Sequence, residues 1–137
     1  MPGLLPQSAG VSNWRRKAIE ALPEEKEFFE QPDTTPYQVF FELLPATIKA
    51  HRQNNTERLK KYYQFAEWCF RQTQQELWNA AGVAFYEHLA DHEVTFAAMP
   101  VWIGPTLYAE IRELLRVRLD GKKMELLDEW YGYNKKK

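Results

Sequence analysis

Apolar residues recur along this chain at intervals of three and four, and strict alternation of apolar and polar positions is absent, so the pattern predicts helices and no strands. The strongest signal is the run LWNAAGVAFYEHLA at residues 77–90, whose only strongly polar members are Asn79, Glu87 and His88. A helix that is apolar almost all round must be wrapped by others. The expected fold is all-α: a compact irregular bundle of about six or seven helices around a central apolar helix over residues 74–92.

The remaining elements follow from caps and breakers. Residues 1–12 carry Pro2, Gly3, Pro6 and Gly10 without periodicity and read as a flexible arm. A short amphipathic helix begins at Ser12 or Asn13, places Trp14, Ala18 and Leu22 on one face, and stops at Pro23. An acidic turn, EEKEFFEQ, and a QPDTTP linker complete a 13–35 segment. Thr35 as N-cap and Pro36 at the first helical position open the core domain, expected over 36–133 and followed by a basic 134–137 tail.

Pro45 should break the next helix near Leu44. Asn55 or Thr56 caps a helix running to about Gln72, with Leu59, Tyr62, Tyr63, Phe65, Ala66, Cys69 and Phe70 inward. Thr73 is placed to cap the central helix, and Phe40, Phe41, Leu107 and Ile111 belong to the helices packed against it. Residues 93–104, EVTFAAMPVWIG, read as an apolar loop. Gly104, Pro105 and Thr106 open a helix with Leu107, Ile111, Leu114 and Leu115 inward, Gly121 is expected as its left-handed cap, and a last short helix carries Met124, Leu127, Trp130 and Tyr131.

The segments FAEWC, LWNAAGVAFYEHL and MPVWIGP together resemble a small bacterial family of uncharacterised helical proteins, a domain of unknown function covering roughly residues 43–131 here. The resemblance implies an all-helical fold and brings no activity, ligand or catalytic residue with it.

Composition narrows the function classes. A chain of 137 residues can bury about two thirds of its unfolded surface without a disulfide or metal staple. Five Trp, seven Tyr and eight Phe supply large interlocking core side chains, with some left for an interface. A formal net charge of −1 argues against a surface built throughout for polyanions. The basic stretch KAHRQNNTERLKK, with Lys49, Arg52, Arg58, Lys60 and Lys61, reads as a solvated turn, and nucleic acid is not expected as a partner because Tyr62 and Tyr63 point inward. The lone Cys69 reads as a small buried hydrophobe. The N-terminus lacks the basic and apolar regions of a signal peptide and no run approaches a membrane span, so a cytoplasmic protein without membrane contact is expected.

Few side chains offer chemistry. On a wheel, Glu76, Asn79, Glu87 and Asp91 form one polar strip of the central helix. Glu76 and Glu87 are too far apart, at ~16 Å, to flank one bond. Glu87 and Asp91, four apart, are the like-charge pair that raises one carboxyl pKa in acid–base sites, but also what a solvated helix edge looks like. His88 and His92 share a face and are the candidate metal ligands, yet HLADH lacks the glutamate of the zinc-peptidase helix, and capping of the helix end is the plainer reading. Arg118 falls in the middle of an apolar face and should pair with a carboxylate of the central helix, Glu87 first, or reach helix-end carbonyls. Beside His88 it would complete a ligand cluster of Glu87, His88, Asp91, His92 and Arg118.

Trp68 projects with Lys61, Gln64 and Arg71 on the polar side of its helix. Its partner is the N-terminal helix, the loop around Trp102, or another protein. The leading expectation is a protein-interaction module, whether adaptor, regulator or immunity-type protein, with no catalytic residue and no cofactor. The alternative is a small enzyme or ligand-binding protein, metal-dependent or not, built on the Glu87–Arg118 cluster.

Overall fold

A computed structural model describes residues 12–133; the expected basic tail and all but the last residue of the expected N-terminal arm lie outside them. Among the described residues there are eight α-helices, two 3-10 segments and no strand. The helices are α1 (Asn13–Ala21), α2 (Lys26–Phe29), α3 (Pro36–Arg52), α4 (Thr56–Phe70), α5 (Gln75–Ala84), α6 (Glu93–Trp102), α7 (Pro105–Arg118) and α8 (Gly121–Tyr131). The 3-10 segments are Pro23–Glu25 and Tyr86–Asp91. No helix among the described residues is long and apolar enough to cross a membrane.

Helix α5 is the centre of the bundle and packs on α3, α4 and, over a shorter length, α7. Its small residues Ala80, Ala81, Gly82 and Ala84 are buried and let neighbouring helices approach closely. At Gly82 a Cβ would stand only 3.0 Å from Leu114 Cδ1 of α7. Around this axis Phe40, Phe65, Phe85, Tyr62, Tyr63, Leu107, Ile111 and Leu115 form one core, which also takes in Ala18, Leu22 and Phe29 of the N-terminal segment.

The helix starts at Thr35 and Asn55 are where the sequence puts them. Thr35 and Gln38 form a reciprocal capping box with Pro36 in the first turn, and Asn55 accepts from the Arg58 N–H at 3.2 Å. Five other expectations fail. The central helix stops at Ala84 rather than near residue 92: Phe85, at φ −125° and ψ −68°, leaves helical geometry, and the chain continues in a 3-10 segment whose Tyr86, Leu89 and Ala90 are buried. The break turns Phe85 and Tyr86 edge-on to each other and to Tyr63 and Phe70, an aromatic packing that one straight helix face does not offer.

Pro45 does not divide α3; its ring lies on the exposed side of the helix. On that same side Phe41 is 62% exposed while Phe40 is sealed. The expected apolar loop at 93–104 is instead helix α6, which carries Pro100 on its exposed side. Thr73 gives way to Gln74 as N-cap of α5. Gly121 does not cap α7: Leu119 and Asp120 are extended, Asp120 caps α8 by accepting from the Lys123 N–H at 2.9 Å, and the left-handed glycine is Gly132, at φ 64° after α8.

Two polar anchors hold the periphery. Arg15 of α1 donates to the carbonyls of Phe29, Gln31, Pro32 and Thr34, gathering the turn after α2 around one guanidinium. Asp128 of α8 is 3% exposed. It accepts from Tyr108 Oη at 2.6 Å, Arg112 Nε at 2.9 Å and Arg112 Nη2 at 2.6 Å, tying α8 to α7. The Tyr131 ring stacks on Tyr108, its hydroxyl donates to the Ile103 carbonyl at 2.8 Å, and the Arg112 guanidinium lies over Tyr133.

Candidate functional site

Two places collect the side chains singled out by the sequence. The first lies between α1 and α4. The Lys17 ammonium sits 5.0 Å above the Trp68 ring, and further along the pair Glu24 meets Arg58 at 2.6 Å, so the two helices run antiparallel. Between them opens a groove of about 480 Å³ lined by Lys17, Glu20, Ala21, Lys61, Gln64, Phe65 and Trp68. Period 3.6 puts Lys61, Gln64, Phe65 and Trp68 along one edge of α4.

Trp68 is half-buried: α1 covers part of it, as one expected partner would, and the groove takes the rest. Trp102, the other intramolecular partner considered, stacks on Tyr63 instead, with ring centroids 5.2 Å apart. Arg71 does not join Trp68, Lys61 and Gln64. It stands at the end of α4 and bridges Glu67 at 2.9 Å and Glu110 of α7 at 2.8 Å. Behind the groove Cys69 is fully buried, and burial pushes its thiol up to about 12 against a small opposing pull from Lys17. A thiol so placed is inert packing.

The second place is the end of the 3-10 segment. Asp91 Oδ2 accepts from Arg118 Nη2 at 2.6 Å and from His88 Nδ1 at 2.8 Å. Burial alone would raise the Asp91 pKa, but the hydrogen bonds from Arg118 and His88 outweigh it and hold the carboxyl below its ordinary value. This is the opposite of the raised carboxyl that an acid–base pair requires. Arg118 therefore finds a carboxylate, Asp91 rather than Glu87, and does so at the surface: it is the last residue of α7, its side chain is 38% exposed, and the apolar face it continues has already ended.

With the helix broken at Phe85, His88 and His92 no longer stand on successive turns of one α-helix. His92 precedes α6 as its N-cap without a side-chain capping bond. Glu76, Asn79, Glu87 and Asp91 likewise lose their common strip, and Asn79 donates to the Tyr37 hydroxyl at 2.8 Å. Among the described residues no group of three or more His, Cys, Asp or Glu side chains converges as a metal-ligand set.

Sequence reasoning missed several polar contacts that shape the surface. Arg58 bonds the Tyr62 hydroxyl at 2.8 Å as well as Glu24, which takes it out of the basic stretch. Lys49 lines a separate hollow with Glu24 and Arg58, and Tyr62 and Tyr63 are buried as expected. A shallow apolar cleft lies between α5 and α7, walled by Phe70, Trp78 and Leu114, with Glu110 and Glu113 also lining it; the carboxylates are already engaged by Arg71 and Arg116. Trp78, in the first turn of α5, is 39% exposed at this cleft.

No curated protein and no solved structure matches the chain. The family described as a domain of unknown function, DUF7674, matches residues 15–118. That span starts in α1 and ends with α7, earlier at both ends than the resemblance of the central segments implies. It contains the α1/α4 groove and Asp91 with its partners, and it leaves out α8. With three quarters of its length matched, the chain belongs to the DUF7674 family, a domain of unknown function.

Proposed function

We propose that this domain works by binding another protein, in the manner of an adaptor, regulator or immunity-type protein, and that the α1/α4 groove is the contact surface. The observation that carries this reading is Trp68, a large ring left half-open in a groove between two well-anchored helices, with the ammonium groups of Lys17 and Lys61 at hand and no carboxylate among the described residues bonded to either. Tryptophan in a partly desolvated pocket with polar surroundings is the chemistry of an interface hot spot. We take the compartment to be the cytoplasm, in keeping with a single reduced cysteine. The Asp91 network supports a structural role at the junction of the 3-10 segment and α7, since its carboxylate is ionised and spoken for.

The test is affinity purification from the native host with the wild-type chain, Trp68→Ser and Lys61→Glu, each accompanied by a thermal melt. A stoichiometric partner lost from both variants is expected, while Lys61→Glu, changed at an exposed and unbridged position, melts with the wild type. Absence of any stoichiometric partner, or its retention by both variants, overturns the reading.

A further inference from the structure

Charge is distributed unevenly among the cations of this fold. Arg58, Arg71, Arg112, Arg116 and Arg118 each hold a carboxylate within 2.9 Å. Among the described residues Lys17 and Lys61 hold none: the first rests on the Trp68 ring face, and the second is exposed. The groove they share has one carboxylate of its own, Glu20, which bridges neither, so positive charge is in excess there although the whole chain is slightly acidic.

The spacing of these groups is fixed by α4. Lys61 and Trp68 are seven residues apart on one edge, about 10 Å along the axis, and Lys17 marks the Trp68 end. In a polyproline-II segment, with three residues per turn, residues i and i+3 share one face and lie about 9 Å apart. Between Lys61 and the Lys17 end lie Gln64 and the open part of Trp68, over the buried Phe65 and Ala21.

Resting on the reading of this groove as a docking surface, we propose that its occupant is an acidic segment of the partner protein in polyproline-II conformation. Two of its carboxylates, three residues apart, pair with Lys17 and Lys61, and a large apolar side chain between them lies on Trp68. The Lys17 ammonium keeps its place over the ring and gains a counter-charge, and Gln64 offers an amide to the peptide backbone.

The experiment uses the full chain labelled with 5-fluorotryptophan, whose five ¹⁹F signals include one that Trp68→Phe removes and so assigns. The probes are the capped peptide Gly-Glu-Phe-Leu-Glu-Gly and its twins with Lys or Gln in place of both Glu. Saturable movement of the Trp68 signal by the Glu peptide below about 1 mM is expected, weakened about tenfold by Lys61→Glu combined with Lys17→Gln, with neither twin matching it. Equal binding of the Lys or Gln twin leaves the docking surface standing and overturns the acidic assignment. If no peptide moves the Trp68 signal at about 1 mM, the groove is not a docking surface and both readings fall.

Discussion

The attachment of α8 rests on one sealed carboxylate, and Asp128→Asn isolates it. The substitution keeps the shape and an acceptor for the Tyr108 hydroxyl but removes the charge that two Arg112 hydrogen bonds serve, at 2.9 and 2.6 Å. Removing one partner of a buried pair costs about 3–5 kcal/mol, chiefly because the other charge stays behind. The Arg112 side chain is 18% exposed, so water reaches part of it and the lower end applies, about 3 kcal/mol. In urea, with a slope of about 1.5 kcal/mol/M for a chain of this size, the unfolding midpoint should fall by about 2 M. The triple replacement Tyr108→Phe, Arg112→Met, Asp128→Leu removes every member of the network together and should recover most of that loss, because no charge is left stranded. A fall of less than about 1 kcal/mol in Asp128→Asn, or a triple variant as damaged as the single one, would refute the reasoning.

Three further outcomes are expected. The Tyr86 hydroxyl is the only buried side-chain polar atom without a hydrogen-bond partner among the described residues, so Tyr86→Phe should stabilise by about 1 kcal/mol in the same urea assay; a loss of that size would mean that the hydroxyl has a partner. Burial holds the His51 pKa below its ordinary 6.5, so the unfolded chain takes up a proton first, and stability present above that pH is lost as pH falls through the folded value. His51→Gln should flatten this limb of the stability–pH curve, and an unchanged limb would show that His51 is not its source. Cys69, sealed in the core, should react with a thiol reagent no faster than the chain unfolds, and rapid labelling of the native protein would contradict its placement.

What could be read before folding is what is decided within a few residues. Thr35 with Gln38 and Asn55 with Arg58 are caps whose partners lie three positions away, and the apolar stripes of α4 and α7 follow from period alone. The misreadings arise where tertiary contact overrides a local rule. Nothing between Leu77 and Ala90 marks Phe85 as a break, since both ring packing and a continuous helix are compatible with an apolar run; the four rings that decide between them are contributed by α4 as well as by the run itself. Pro45 and Pro100 lie inside their helices on the exposed side, which the dipeptides around them do not show.

The candidate sites divide along the same line. Trp68, Lys61 and Gln64 share an edge because they share a helix, so their grouping was legible, while Lys17 and Glu20, which make that edge a groove, come from a helix packed against it. The Asp91 cluster was grouped on the assumption of one straight helix, and the break at Phe85 dissolves that geometry even as it lets Asp91 reach Arg118 and His88. Arg118 shows why wheel arguments weaken at a terminus: its angular position is inward, but the core ends before it does, and a guanidinium at the last turn is free to choose the nearest carboxylate at the surface. The family's span ends at Arg118 and so includes the pairs Arg58 with Glu24, Arg71 with Glu110 and Arg118 with Asp91, while Asp128, the acid that holds Arg112, lies outside it. Helix α8 lies beyond the family's span and is joined to α7 by the buried Asp128, whereas the α1/α4 groove lies wholly inside it.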